Sequence, residues 1–142
     1  VFENGLFNII KTNIPDFWGT NNNGDAEYQL FYLGVFDPVS TPPYAIFERY
    51  KRIHEMDMKS KNRQFISGYR IEIYDKDSWH LLDLQQRLRT LLESLAWTTV
   101  GGIYVEQIEV EDDFHTIPNE KLESKLRLYQ GVLDFNMYYT PE

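Results

Sequence analysis

The stretch RIEIYDKDSWHLLDLQQRLRTLLESL, Arg70–Leu95, decides how this chain folds. Its first part alternates, with Tyr69, Ile71 and Ile73 facing one way and Arg70 and Glu72 the other. That two-residue period belongs to a strand with one buried face. The period then changes. From Trp79 to Ala96, Leu81, Leu84, Leu88, Leu91, Leu92 and Leu95 recur at steps of three and four, while Gln86, Arg87, Arg89 and Glu93 fill the opposite face. This is an amphipathic helix, with Asp77 or Ser78 placed to cap its free N–H groups. A fully buried leucine contributes about 1.5–3 kcal/mol before entropy is subtracted, so this face must lie on a sheet.

The flanks supply the sheet. Upstream, Tyr28–Phe36 and Tyr44–Tyr50 read as strands on either side of the proline-rich Asp37–Pro43, as a hairpin or a wide strand-loop-strand. Tyr44, Ile46 and Tyr50 are expected on one face of the second. Downstream, Gly101-Gly102 admits a turn and Ile103–Val110 reads as a strand whose apolar phase slips. A β-bulge near Glu106-Gln107 accounts for that slip. Lys125–Tyr139 reads as a long strand with Tyr129, Leu133, Phe135, Met137 and Tyr139 on one face. Phe2, Leu6, Ile9 and Ile10 predict a short N-terminal helix despite Gly5. Asn13–Asp25 is expected to be a loop, anchored by Phe17 and Trp18. Lys51–Arg63 is polar enough to be expected as a flexible loop, and Glu111–Ser124 as a loop or a single helical turn. The fold class is α+β. The expectation is a mostly antiparallel, twisted sheet of four to five strands, with one long helix and one shorter N-terminal helix packed on it. The 142 residues are expected to form a single domain, which can bury roughly 68–70% of its unfolded surface.

Composition removes several functions. With no cysteine, disulfides, zinc ribbons and thiol nucleophiles are excluded. A net charge of −8 repels phosphate backbones and argues against tight nucleic-acid binding. It does not argue against DNA passing close by. No run of about 18 apolar residues is present to span a membrane. Val1–Ile10 contains Glu3 and Asn4, has no basic leader and does not read as a signal peptide.

No motif carries chemistry. His54, His80 and His115 stand at no metal-binding spacing and read as ordinary exposed histidines. The acidic run lacks the calcium-loop pattern. There is no GxSxG elbow and no phosphate-binding glycine motif. No catalytic residue, cofactor or metal is expected. The charge layout is more informative. Lys51, Arg52, Lys59, Lys61 and Arg63 cluster in an otherwise acidic chain, whereas Glu106, Glu109, Glu111, Asp112 and Asp113 crowd another segment. Both read as solvated surface, or as unlike edges that meet between copies. Two such edges make a head-to-tail contact, which closes into a ring.

The segments Pro42–Tyr50, Arg70–Leu95, Gly101–Phe114 and Leu126–Glu142 together resemble the phage tail-terminator family, also described as tail-completion or head–tail joining proteins. The final segment carries a Q-x-x-x-D-F-x-[ILM]-x-[YW] flavour in Gln130, Asp134, Phe135, Met137 and Tyr139. The likeness covers about two-thirds of the chain and is a pattern of elements, not of catalytic residues. It implies a non-enzymatic virion protein of the tail–neck region, made in a host cytoplasm. Such a protein forms a hexameric ring, stops tail-tube polymerisation and meets a head connector. Its partners would be its own copies, the tail tube protein and a head-completion or connector protein, with DNA as passing cargo. The alternatives are another neck adaptor, a cellular binding module, or a small metal-dependent hydrolase built on Asp112, His115 and distant carboxylates.

Overall fold

The computed structural model describes residues 2–20, 23–32, 42–56, 63–116 and 129–140, and only the backbone of 50–56, 63–64, 111–116 and 140. Helix α1 (Phe2–Asn13) leads into a 3-10 turn (Pro15–Phe17) and strand β1 (Trp18–Thr20). Strands β2 (Ala26–Tyr28), β3 (Leu30–Tyr32), β4 (Tyr44–Met56) and β5 (Arg63–Asp75) follow. Helix α2 (Ser78–Glu93), β6 (Thr98–Val100), β7 (Ile103–Thr116) and β8 (Tyr129–Thr140) complete the chain. Six strands form one sheet in the order β3-β4-β5-β8-β7-β6, and β1 and β2 make a separate two-stranded ribbon. Among the described residues only β3 runs parallel to its neighbour, with Leu30–Tyr32 beside Ala45–Phe47.

One face of the sheet carries both helices. Tyr69, Ile71, Ile73, Leu133, Phe135 and Met137 are all buried there. The rings of Phe47 and Phe135 stack on either side of Tyr69, at 5.2 and 5.4 Å. Helix α2 lies over β5, β7 and β8 and buries Leu81, Leu84, Leu88 and Leu92. Asp77 caps it, accepting from the backbone N–H of Trp79 and His80. Helix α1 covers the neighbouring part of the face with Phe2, Leu6 and Ile10, each a turn from the next. Gly5 faces the backbone of Gly101, where a Cβ would lie 2.4 Å from the amide nitrogen. The residue that weakens the helix by propensity is the one that lets another chain segment cross it.

The leucine face, the Asp77 cap, the N-terminal helix and the buried faces of β5 and β8 match the sequence reading. So does the bulge: the β7–β8 register shifts between Val105 and Gln107. Several expectations are corrected. The sheet has six strands, not four or five. Helix α2 ends at Glu93 rather than Ala96, and an unforeseen strand β6 follows before the turn at Gly101-Gly102. Both glycines have positive φ, 57° and 81°, as a two-residue hairpin turn with Val100 opposite Ile103 requires. The pair β3–β4 is parallel and therefore not a hairpin. Tyr44 and Ile46 share a face, but a register shift between Arg49 and Lys51 interrupts the alternation at Tyr50. Of the expected loop Asn13–Asp25, the 3-10 turn and β1 are ordered structure. Phe17 anchors it, whereas Trp18 is 45% exposed and lies beneath the Lys11 ammonium.

Two larger corrections concern charge. Lys51–Met56 and Arg63 are not loop; they lie in a long antiparallel hairpin pairing Lys51 with Gly68 and Met56 with Arg63. Glu111–Thr116 is likewise strand, paired with Gln130–Asp134. The expected loop segments 57–62 and 117–124 and the first residues of the long strand, 125–128, lie outside the described residues.

Candidate assembly surfaces

The helix-free face is built from the alternate residues of the four long strands. Tyr44 and Tyr74 stack across β4 and β5 with ring centroids 5.0 Å apart. The Tyr74 hydroxyl donates to Glu72 at 2.9 Å and accepts from the Gln130 side-chain amide at 2.9 Å. Burial, and then the nearby Glu72 carboxylate, push the Tyr74 phenol above its ordinary range, so it stays protonated. Ile46, Ile66 and Val132 add buried apolar surface to this face.

A row of charge crosses its middle. Glu48, Arg70, Asp134 and Asp112 occupy consecutive register positions on β4, β5, β8 and β7. Arg70 grips Asp134 with two parallel hydrogen bonds, Nε to Oδ1 at 2.6 Å and Nη2 to Oδ2 at 2.9 Å. This fork geometry is the strongest form of the pair. The Asp134 side chain is only 6% exposed, while Arg70 reaches solvent at 41%. The row sums to −2, with three carboxylates to one guanidinium.

The residues expected to form unlike edges fall as follows. Lys51 and Arg52 lie on β4, and Arg63 opens β5 opposite Met56. Lys59 and Lys61 lie outside the described residues. Glu106 sits at the β7 bulge, Glu109 is exposed on β7, and Glu111, Asp112 and Asp113 continue that strand. Strands β5 and β8 separate β4 from β7. At about 4.8 Å per strand spacing, the basic and acidic strands stand about 14 Å apart within one chain. Among the described residues β3 flanks β4 only at Ala45–Phe47, and β6 flanks β7 only at Ile103–Val105. Lys51 and Arg52 therefore lie on the outermost described strand of one side, and Glu109 through Asp113 on that of the other. Of the hydrolase alternative, Asp112 stands opposite Asp134 and His115 opposite Gly131. That odd spacing along one strand is not the even spacing of residues that share a face. Among the described residues no group of three or more His, Cys, Asp or Glu is arranged to hold a metal.

One cluster was not legible in the sequence. His80, read as an ordinary exposed histidine, has Nδ1 2.5 Å from Asp75 and Nε2 2.9 Å from Asp16. Asp16 is shared with Arg87 at 2.8 Å, and Arg87 reaches Asp83 at 3.3 Å. The Arg87 guanidinium holds the Asp16 carboxyl down at about 2, assisted by His80 and opposed by burial. The hydrogen bond to Asp16, followed by the charge of Asp75, pushes the His80 imidazole up against the desolvation that opposes it.

No family model matches the chain, and no curated protein does. A solved structure does match: a chain of the virion of a native gene transfer agent particle. The superposition covers 80% of this chain and 79% of that one, with a TM-score of 0.60 and 9% sequence identity. The fold is shared with a chain of that virion. At this identity the likeness speaks for the fold alone.

Proposed function

We propose that this protein is a structural component of a phage-like virion, a tail-terminator-type subunit that forms a ring at the end of a tail tube. The observation that carries this reading is the fold shared, over four-fifths of the chain, with a virion chain. The charge layout supports it. A basic strand and an acidic strand on opposite sides of one sheet cannot neutralise each other within a copy, but each suits the other's counterpart on a neighbour. Joined in that order, copies present the helix-free faces side by side. The chain's net charge of −8 lets duplex DNA pass without adhering. In this reading the ring ends tube polymerisation and meets a head connector, and no copy performs a reaction. Negative-stain imaging with light scattering on the purified protein tests it. Closed rings that bind tail-tube subunits are expected. Rings that bind only portal-side proteins would move the assignment to a head-completion adaptor. A strict monomer indifferent to both would end it.

A further inference from the structure

The Asp75–His80–Asp16–Arg87 chain lies on the helix-bearing side and takes no part in the proposed ring contacts. It joins three parts of the molecule that are remote in sequence. Asp75 is the last residue of β5 and is buried. His80 is in the first turn of α2. Asp16 belongs to the 3-10 turn that leads into the β1–β2 ribbon. A neutral imidazole has one N–H and one lone pair. Two carboxylates, one on each ring nitrogen, are both satisfied only when the ring carries two protons. Asp77 lies just before His80 and is occupied in capping α2. Asp83 and Arg87 stand one and two turns on along α2, and Arg87 engages both Asp16 and Asp83. Tyr28, on β2, feels both Asp16 and Arg87 and donates its hydroxyl to the carbonyls of Ile10 and Ile14.

We propose that His80 is a proton-dependent latch that fastens the 3-10 turn and the β1–β2 ribbon to the start of α2. When the ring loses a proton, one nitrogen presents a lone pair to a carboxylate. Asp75 is buried and accepts from the Asp77 backbone N–H only at Oδ1; its Oδ2, 2.5 Å from Nδ1, has no other hydrogen-bond partner, so the ring's remaining proton stays on that side. Asp16 is the partner that lets go, because Arg87 still holds it. The turn and ribbon then remain attached through the Asp16–Arg87 pair, buried Phe17 and the Tyr28 hydroxyl, but they lose the tie to the first turn of α2 and loosen there. A group whose pKa is raised on folding stabilises below its unfolded value, and loses that contribution as pH rises through the folded one. The latch is therefore closed below the ordinary imidazole value and opens as pH rises through the raised one.

The test is an NMR titration of the three histidine rings together with amide exchange, in wild type, Asp16→Asn and His80→Gln. The His80 ring should titrate above the ordinary imidazole value, and Asp16→Asn should lower it. Exchange at Trp18–Thr20 and Ala26–Tyr28, corrected for intrinsic rates, should rise about tenfold across that midpoint in wild type. It should be fast and pH-independent in His80→Gln. If His80→Gln does not fold, Asp16→Asn gives the same comparison. A His80 midpoint at or below the ordinary value, or unchanged ribbon protection across it, overturns the latch.

Discussion

Replacing Gly5 by alanine should destabilise this protein, although the same change in an exposed helix normally stabilises it by about 0.5–1 kcal/mol. The reason is the crossing of α1 by the β6–β7 turn. A Cβ at residue 5 would lie 2.4 Å from the Gly101 nitrogen, 2.7 Å from its Cα and 3.2 Å from the Val100 carbonyl carbon. Comfortable separation is roughly 3.5 Å, so one backbone must retreat by about 1 Å. Neither obstacle is a flexible side chain that could rotate away. Moving α1 drags Phe2, Leu6 and Ile10, which are at most 2% exposed, out of a close-packed core. Overpacking of this kind costs about 1–3 kcal/mol. Subtracting the propensity gain leaves a net loss of about 1–2 kcal/mol. For a chain of this length the melting temperature should drop by roughly 5 °C. Urea unfolding followed by circular dichroism gives the free energy directly. Asn8→Ala, on the exposed side of the same helix, serves as the control and should be neutral or slightly stabilising. A Gly5→Ala protein as stable as that control would refute the close approach, and with it the placement of α1 against the turn.

Three further outcomes follow from other parts of the structure. Leu84→Ala, at a site with 0% exposure beneath α2, should cost about 2–5 kcal/mol in the same urea assay. Arg70→Met leaves the 6%-exposed Asp134 carboxylate without its fork. Because Arg70 itself is substantially wet, the loss should fall between that of exposed and buried pairs, about 2 kcal/mol. The double variant Arg70→Met with Asp134→Leu should lose less than Arg70→Met alone. Asp16 is depressed to about 2 from 3.8, so its contribution is present above pH 4 and fades as pH falls through 2. Asp16→Asn should therefore lie below wild type in urea midpoint at pH 6 and converge with it near pH 2.

Local physics made half of this fold readable. The leucine spacing of α2, the Asp77 cap and the alternation of β5 each depend on residues within a few positions of one another. Even the bulge at Glu106 was visible, because a slip of apolar phase has few other causes. What escaped depends on distant partners. Lys51–Met56 and Glu111–Thr116 resembled loops because consecutive charges leave no two-residue apolar period; their pairing with Arg63–Gly68 and Gln130–Asp134 makes them strands. The six residues from Ser94 to Thr99 hold too little pattern to announce β6, and Trp97 even takes φ 64° within them. The parallel placement of β3 is set by the rest of the sheet. Nothing near His80 in sequence points to Asp16, 64 residues away, so a lone histidine in a first helical turn looks ordinary until the fold brings the carboxylate to it. The charged segments themselves were evident; only their placement on opposite sides of the sheet needed the structure.

The most direct measurement of the ring proposal is sedimentation of two charge-reversed variants, separately and mixed. Lys51→Glu with Arg52→Glu and Arg63→Glu turns the basic set net negative, so that both sides are acidic, and Glu106→Lys with Glu109→Lys and Glu111→Lys turns the acidic set net positive, so that both are basic. Each variant alone should sediment as a monomer. An equimolar mixture should form closed rings in which the two kinds alternate, as wild type does with one kind. If both variants assemble alone as wild type does, or if wild type itself stays monomeric at high concentration, unlike charged strands do not join copies of this chain.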